Sequence, residues 1–144
     1  EADVLANLPA LRQKVGDRAV LRALHFYADD QRAVEEADAL ASGEKEIFLN
    51  LVKESGRSSW ELLQNITPAA AVAHQDMAIA LHVAEKALHG EGACRVHGGG
   101  FAGTIQAFVP LEKVSAFKKT VESMLGEGCC HVLSIRPAGG IVLE

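Results

Sequence analysis

The chain has 144 residues, 49% of them apolar, which fits one packed domain and excludes a disordered chain. Its formal net charge of −5 argues against a nucleic-acid or anionic-membrane surface, since either needs a basic patch. No apolar run reaches the roughly 18 residues of a membrane-spanning helix.

The chain opens at Glu1 without an initiator methionine and carries no secretory signal, so a trimmed tag or a piece cut from a longer protein is expected, with a cytoplasmic location. The three cysteines, Cys94, Cys129 and Cys130, are odd in number. Two are adjacent on a strand-like run, where neighbouring side chains point to opposite faces. A disulfide framework is therefore not expected, and a reducing compartment fits. Cys129 and His131 share a face but no C-x-x-C is present, so no metal site is expected.

Residues 1–17 read as a lead-in segment with room for a short helix. From Arg18 the pattern is helical: Val20, Leu21, Leu24, Ala28, Val34, Ala37 and Leu40 recur near 3.6. Ser42 and Gly43 stop that helix. A second, short helix carries Glu44 and Glu46 in its first turn and an apolar face of Ile47, Phe48, Leu51 and Val52, and Gly56 is its expected end. Ser58 and Glu61 have capping-box spacing, which predicts a new helical turn starting at Ser58. Thr67-Pro68 reads as another start, of an alanine-rich helix from Pro68 to Leu88 whose buried stripe is Val72, Met77, Leu81, Ala84 and Leu88. Its histidines, His74, His82 and His89, are 8 and 7 apart and lack the i, i+4 spacing of metal ligands, so they read as a solvated face. Trp60 reads as an anchor for a short helix. Asp29, Asp30 and Asp76 occupy mid-helix polar positions and are assigned no chemistry.

The period then shifts to 2. Ala93 to His97 and Thr104 to Val109 read as strands joined by residues 98–103. A helix follows Pro110, with Val114, Phe117, Val121 and Leu125 along one face. Cys129 to Ile135 is expected as a third strand, and Ile141 to Leu143 as a fourth after a turn at 137–140. Helices followed by β-β-α-β imply an α+β fold with helices packed on one face of a mainly antiparallel sheet.

The connection 98–103 is the feature that invites a function. Gly98, Gly100 and Gly103 spell G-x-G-x-x-G, and Gly99 adds a third consecutive glycine. Glycine reaches positive φ at little cost, so a wide hairpin alone accounts for such a run. Equally, consecutive N–H groups in such a turn form an anion-binding concavity, with phosphate the usual guest. Arg95 and His97 stand on one side of the entering strand, where they would supply charge or donors, or else make ordinary ion-pair and strand-end contacts. A dinucleotide-binding loop is excluded because a strand follows rather than a helix. A protein-kinase loop is excluded because its V-A-I-K, H-R-D and D-F-G partners are absent.

The run Arg95-Val96-His97-Gly98-Gly99-Gly100-Phe101-Ala102-Gly103 resembles the third motif of the GHMP small-molecule kinases, and most of all the galactokinase form, R-M-T-G-G-G-F-G-G. Upstream, His25, Arg32-Ala33-Val34 and Leu40-Ala41-Ser42-Gly43 are similar to a galactokinase helix, and Glu54-Ser55-Gly56-Arg57-Ser58-Ser59 to the E-S-H-x-S-L segment. Arg136-Pro137-Ala138-Gly139-Gly140 resembles the closing K-P-S-D-G-A. The resemblance thus covers residues 18–144 and implies a ferredoxin-like GHMP kinase C-terminal domain, with the N-terminal ATP-binding domain absent from this chain.

In that family the domain packs against its N-terminal partner to form a cleft, where the γ-phosphoryl group of ATP passes to the C1 hydroxyl of galactose. The resemblance implies that Gly98, Gly99, Gly100, Phe101 and Gly103 lie at that cleft, that Arg95 and His97 flank them, and that Ser58 and Ser59 sit in a bordering loop. It implies ATP and Mg²⁺ for the full-length enzyme, with none held by this portion alone. The P-x-x-x-G-L-G-S-S-A phosphate loop, the R-x-x-x-x-G-E-H-x-D sugar segment and the region of the catalytic Asp are absent, so no catalytic residue is assigned and this portion alone is expected to be inactive. Implied partners are the N-terminal kinase domain and galactose or a related sugar, with self-association through the face that domain would cover. His97 stands where the family has Thr or Ser, and Ala102 where it has Gly. A stand-alone small-molecule-binding or regulatory module of ferredoxin-like fold, and a non-catalytic relative, are the other readings.

Overall fold

A computed structural model describes residues 1–101, 103–135 and 142. The lead-in holds two short helices, α1 (Ala2–Ala6) and α2 (Leu8–Val15), neither with a buried residue. The long helix α3 (Asp17–Ala41) follows, then α4 (Lys45–Ser58), with the expected break at Ser42 and Gly43 between them. Next come α5 (Asp76–Leu88), the strands β1 (Ala93–His97) and β2 (Thr104–Phe108), and α6 (Val114–Leu125). The two strands pair antiparallel, with Ala93 opposite Phe108 and His97 opposite Thr104. The α+β class and the antiparallel pairing therefore stand. Among the described residues the sheet is two-stranded, and the further strands of a ferredoxin-like sheet are not among them.

The strand period explains where the core lies. On one face of the ribbon, Cys94, Val96, Ile105 and Ala107 meet Met77, Leu81, Ala84 and Leu88 of α5 and Phe117 and Val121 of α6. On the other, Ala93 packs with Leu49 and Val52 of α4, and Phe108 sets its ring edge-on to Phe48 with centroids 5.1 Å apart. Helices thus cover both faces of the ribbon, which corrects the expectation of helices on one face only. Two strands buried on one side only would leave a large apolar face in water, and α4 removes it. Helix α3 packs outside α4 and buries Val20, His25 and Ala39.

Four further sequence expectations are corrected. Gly56 does not end its helix: α4 continues to Ser58, and a Cβ at Gly56 would lie 3.0 Å from that of Arg95, so glycine there permits close approach to β1. Ser58 starts no new helix, because α4 runs directly into a single π turn, Ser59–Leu63, which the left-handed Gln64 (φ 57°) closes. The helix expected from Pro68 begins only at Asp76. The alanines at 69–71 are good helix formers, but a helix needs a packed face, and Val72 is 82% exposed. Cys129 to Ile135 is not a strand: among the described residues no neighbour supplies a ladder, and Val132, Leu133 and Ile135 are exposed. The strand expected at 141–143, the turn at 137–140, the K-P-S-D-G-A-like segment and Ala102 lie outside the described residues. Among the described residues, no helix is long and apolar enough to cross a membrane.

Candidate functional site

The hairpin tip is built from two chemically different sets of residues. Gly98 (φ 66°), Gly100 (φ 77°) and Phe101 (φ 59°) have left-handed backbones, which is how six residues turn the chain from His97 to Thr104. Gly100 is also pressed against Asn65. A Cβ there would overlap the Asn65 carbonyl oxygen and come within 2.8 Å of its Cβ and Cγ. The Phe101 N–H donates to the Asn65 carbonyl at 2.7 Å, and Asn65 Nδ2 donates to the Gly99 carbonyl at 3.4 Å. Gly99 differs from its neighbours. It is exposed, its φ lies outside the left-handed region, and nothing comes within 4 Å of the place a Cβ would occupy. Neither its conformation nor any contact among the described residues requires glycine at that position. Gly103 meets only ordinary van der Waals contacts.

His97, at the root of the hairpin, is exposed, and its Nδ1–H donates to Gln106 Oε1 across the ladder at 2.6 Å. Arg95 does not turn toward the glycines. Its Nε donates to the Val96 carbonyl at 3.1 Å, its Nη1 to Ser55 Oγ, and its Nη2 lies 3.8 Å from Asp29 Oδ2. The guanidinium therefore reaches across α4 toward α3.

There it joins a polar cluster centred on Asp29. Asp29 Oδ1 accepts from Arg32 Nη1 and from the Ser55 hydroxyl, each at 2.5 Å, so Ser55 donates to Asp29 while accepting from Arg95. His25 Nε2 lies 3.7 Å from Asp29 Oδ2, and His25 Nδ1 is 2.9 Å from Ser58 Oγ. Burial lowers the His25 pKa against the pull of Asp29, with Arg32 and Arg95 adding to the lowering, so the ring is neutral at pH 7. A neutral ring with its Nε2–H toward Asp29 takes the Ser58 proton donor at Nδ1. This puts Ser58, His25 and Asp29 in the order of a nucleophile, a base and an orienting acid. Ser58 is only 7% exposed and sits within continuous helix, out of reach of a substrate, so the cluster ties three elements together instead. Glu36 completes its surroundings: burial raises its pKa, while Arg95 and Arg32 oppose the rise.

Ser58 and Ser59 were expected in a loop. Both are buried in helical turns, and Ser59 Oγ has no hydrogen-bond partner among the described residues. A separate groove of about 660 Å³ runs along β1 between α4 and α5, lined by Lys53, Arg57, Trp60, Glu85 and Leu88, and none of the described residues of 98–103 borders it. Trp60 is half exposed there, and His74, His82 and His89 are all exposed. Among the described residues, no three His, Cys, Asp or Glu side chains converge on one point.

The sequence reading passed over two residues. Asp29 was assigned nothing, although His25, Asp29 and Arg32 fall on one helix face at i, i+4 and i+7, a pattern that marks a polar seam on a helix about to be covered. Asn65 carried no sequence signal beyond being a polar residue between two apolar runs.

Comparison with known proteins points one way. The chain is similar to the galactokinase of Mannheimia succiniciproducens, 29% identical over 103 residues, which is 72% of this chain and 25% of that protein. It is similar to the galactokinase of Glaesserella parasuis, 28% identical over 109 residues, 76% of this chain and 27% of that protein. The chain thus spans about a quarter of the length of these relatives. No protein-family profile matches it. These likenesses support a galactokinase-like, kinase relationship.

Proposed function

We propose that this chain is the C-terminal part of a galactokinase-like sugar kinase, a cytoplasmic enzyme that passes the γ-phosphoryl group of ATP to the C1 hydroxyl of galactose. In this reading the hairpin 98–103 forms one wall of a cleft shared with an N-terminal domain. The observation that carries it is Gly99. Glycine at an exposed position that needs neither positive φ nor space among the described residues is read as glycine for something that approaches from outside. The similarity to galactokinases supports nucleotide phosphate or sugar as the guest in this reading.

The chemistry expected of these residues is close approach by backbone. At Gly98 and Gly99 no side chain stands between the main chain and a bound group, so main-chain N–H groups there can meet phosphate or hydroxyl oxygens directly. ATP and Mg²⁺ would supply the transferred group and its charge neutralisation. Arg95, held by Asp29 and Ser55, fixes the strand that carries the hairpin rather than contacting the anion.

The test is ADP release by the full-length parent enzyme with Mg-ATP and a panel of galactose, N-acetylgalactosamine, mevalonate and homoserine, with this chain alone as control. Turnover with galactose and silence from the chain alone are expected. Gly99→Val in the parent should abolish transfer without unfolding it. Turnover with none of the four, or full turnover in Gly99→Val, refutes the proposal.

A further inference from the structure

Three irregularities meet at one contact. Gln64 closes the π turn in a left-handed conformation, and so does Phe101 in the hairpin, although neither is glycine. Between them lies Asn65, 1% exposed, whose Oδ1 has no hydrogen-bond partner among the described residues. Unfavourable backbones and an unpaired buried acceptor persist only where the surroundings over-determine them, and such features gather at functional sites. What they accomplish here is visible. The kink at Gln64 aims Asn65 at the hairpin. The turn at Phe101 brings its N–H onto the Asn65 carbonyl, and Asn65 Nδ2 takes the Gly99 carbonyl. Spending Nδ2 on Gly99 is what leaves Oδ1 alone, since the amide has a single orientation that donates to a carbonyl. Behind Asn65, Ile66 is packed into the core with Met77, Leu81 and Val96. The tip of the hairpin is thereby fastened to the core at one point.

We propose that Asn65 is the positioning residue of the glycine hairpin, setting where the backbone at Gly98 and Gly99 stands relative to whatever binds there. Its link to catalysis rests on the kinase reading above, while the fastening itself does not. Among the described residues nothing lies within 4 Å of the place a Gly99 Cβ would occupy, and Asn65 Nδ2 donates to its carbonyl, so this side chain restrains the residue that faces outward. A reacting group displaced by on the order of 1 Å loses about 10²-fold in rate, so a loose hairpin should show in kcat rather than in ligand affinity.

Two variants test this: Asn65→Ala, and Asn65→Asp, which keeps the shape and the acceptor but removes the donor. In this chain, amide hydrogen exchange at Phe101, whose N–H donates to the Asn65 carbonyl, should quicken about fivefold or more, the equivalent of one lost hydrogen bond, while Val52 and Val96 stay as in the wild type. In the full-length parent, kcat should fall roughly 10- to 100-fold per folded molecule with KM for ATP and sugar little changed. Unchanged exchange at Phe101 overturns the proposal. So does quickening spread equally to Val52 and Val96, which would make Asn65 an ordinary stabilising residue. A loosened hairpin with full kcat in the parent overturns the positioning role. If the wild-type parent transfers phosphate to no acceptor, the kinase reading fails, and the exchange result still decides whether Asn65 fastens the hairpin. Should Asn65→Ala fail to fold, Asn65→Asp supplies the same comparison.

Discussion

The two adjacent glycines of the hairpin should respond to the same substitution in opposite ways. Gly100→Ala places a methyl group where the Asn65 carbonyl oxygen already stands, within 2.8 Å of two further Asn65 atoms, and on a left-handed backbone (φ 77°). The backbone term costs about 1–2 kcal/mol. The hairpin must then lift from Asn65, losing the 2.7 Å bond from Phe101, a further 0.5–1.5 kcal/mol or so. The total is about 1.5–3.5 kcal/mol, or roughly a 10 °C fall in melting temperature for a domain of this size. Gly99→Ala meets nothing within 4 Å and needs no positive φ, so it should lie within about 0.5 kcal/mol of the wild type. Thermal unfolding of the three chains by circular dichroism decides it. Equal losses at the two positions, or no loss at Gly100, would show that the hairpin does not rest on Asn65 and would remove the basis for treating Gly99 as outward-facing.

Three further outcomes are expected. Asp29→Ala strips acceptors from Ser55, Arg32 and Arg95 together, and because these side chains are partly solvated the loss should be about 2–4 kcal/mol, read as a lower urea midpoint; a change under about 0.5 kcal/mol would refute the cluster's role. His25 has its pKa lowered by burial, so the unfolded chain binds the proton more readily. Its contribution is complete above the unfolded value of about 6.5 and is lost as pH falls below it. The urea midpoint should therefore drop between pH 7.5 and 5, more in the wild type than in His25→Gln; equal slopes would contradict this. Burial pushes the Cys94 thiol up to about 11, and Cys129 is exposed, so iodoacetamide at pH 8 should label Cys129 first and leave Cys94 untouched until the chain unfolds; early labelling of Cys94 would refute its burial.

How much of this was legible in the sequence depended on whether a signal was local. Of the expected 3.6-residue stripe, Met77, Leu81, Ala84 and Leu88 are buried as the period requires while Val72 is exposed, and the alternation puts half-buried Cys94 and buried Val96 on one covered face; both signals are properties of single elements. The misreadings arose where packing overrode local preference. Gly56 looks like a stop signal until β1 lies against it, and the alanines after Pro68 look helical until nothing covers them. Cys129 to Ile135 looks like a strand but has no ladder. The hairpin was legible as a motif, but its fastening was not, because Asn65 and Gly99 are 34 positions apart and an isolated asparagine carries no period. Arg95 was read correctly as a face-mate of His97 along the strand, but the direction its long side chain takes is fixed by Asp29 and Ser55, which no strand pattern contains.

The Asp29 cluster has a consequence for the order in which the molecule assembles. Ser55 meets Asp29 across 26 positions and Arg95 meets Ser55 across 40, so the complete cluster closes only after α3, α4 and β1 have all arrived. Each such loop closure is entropically unfavourable before any contact rewards it. Arg95 is therefore among the last charges to be enclosed during folding and among the first released when the domain opens. Weakening the cluster should hasten unfolding far more than it slows folding, so its contribution is to the lifetime of the folded hairpin support rather than to the speed with which it forms.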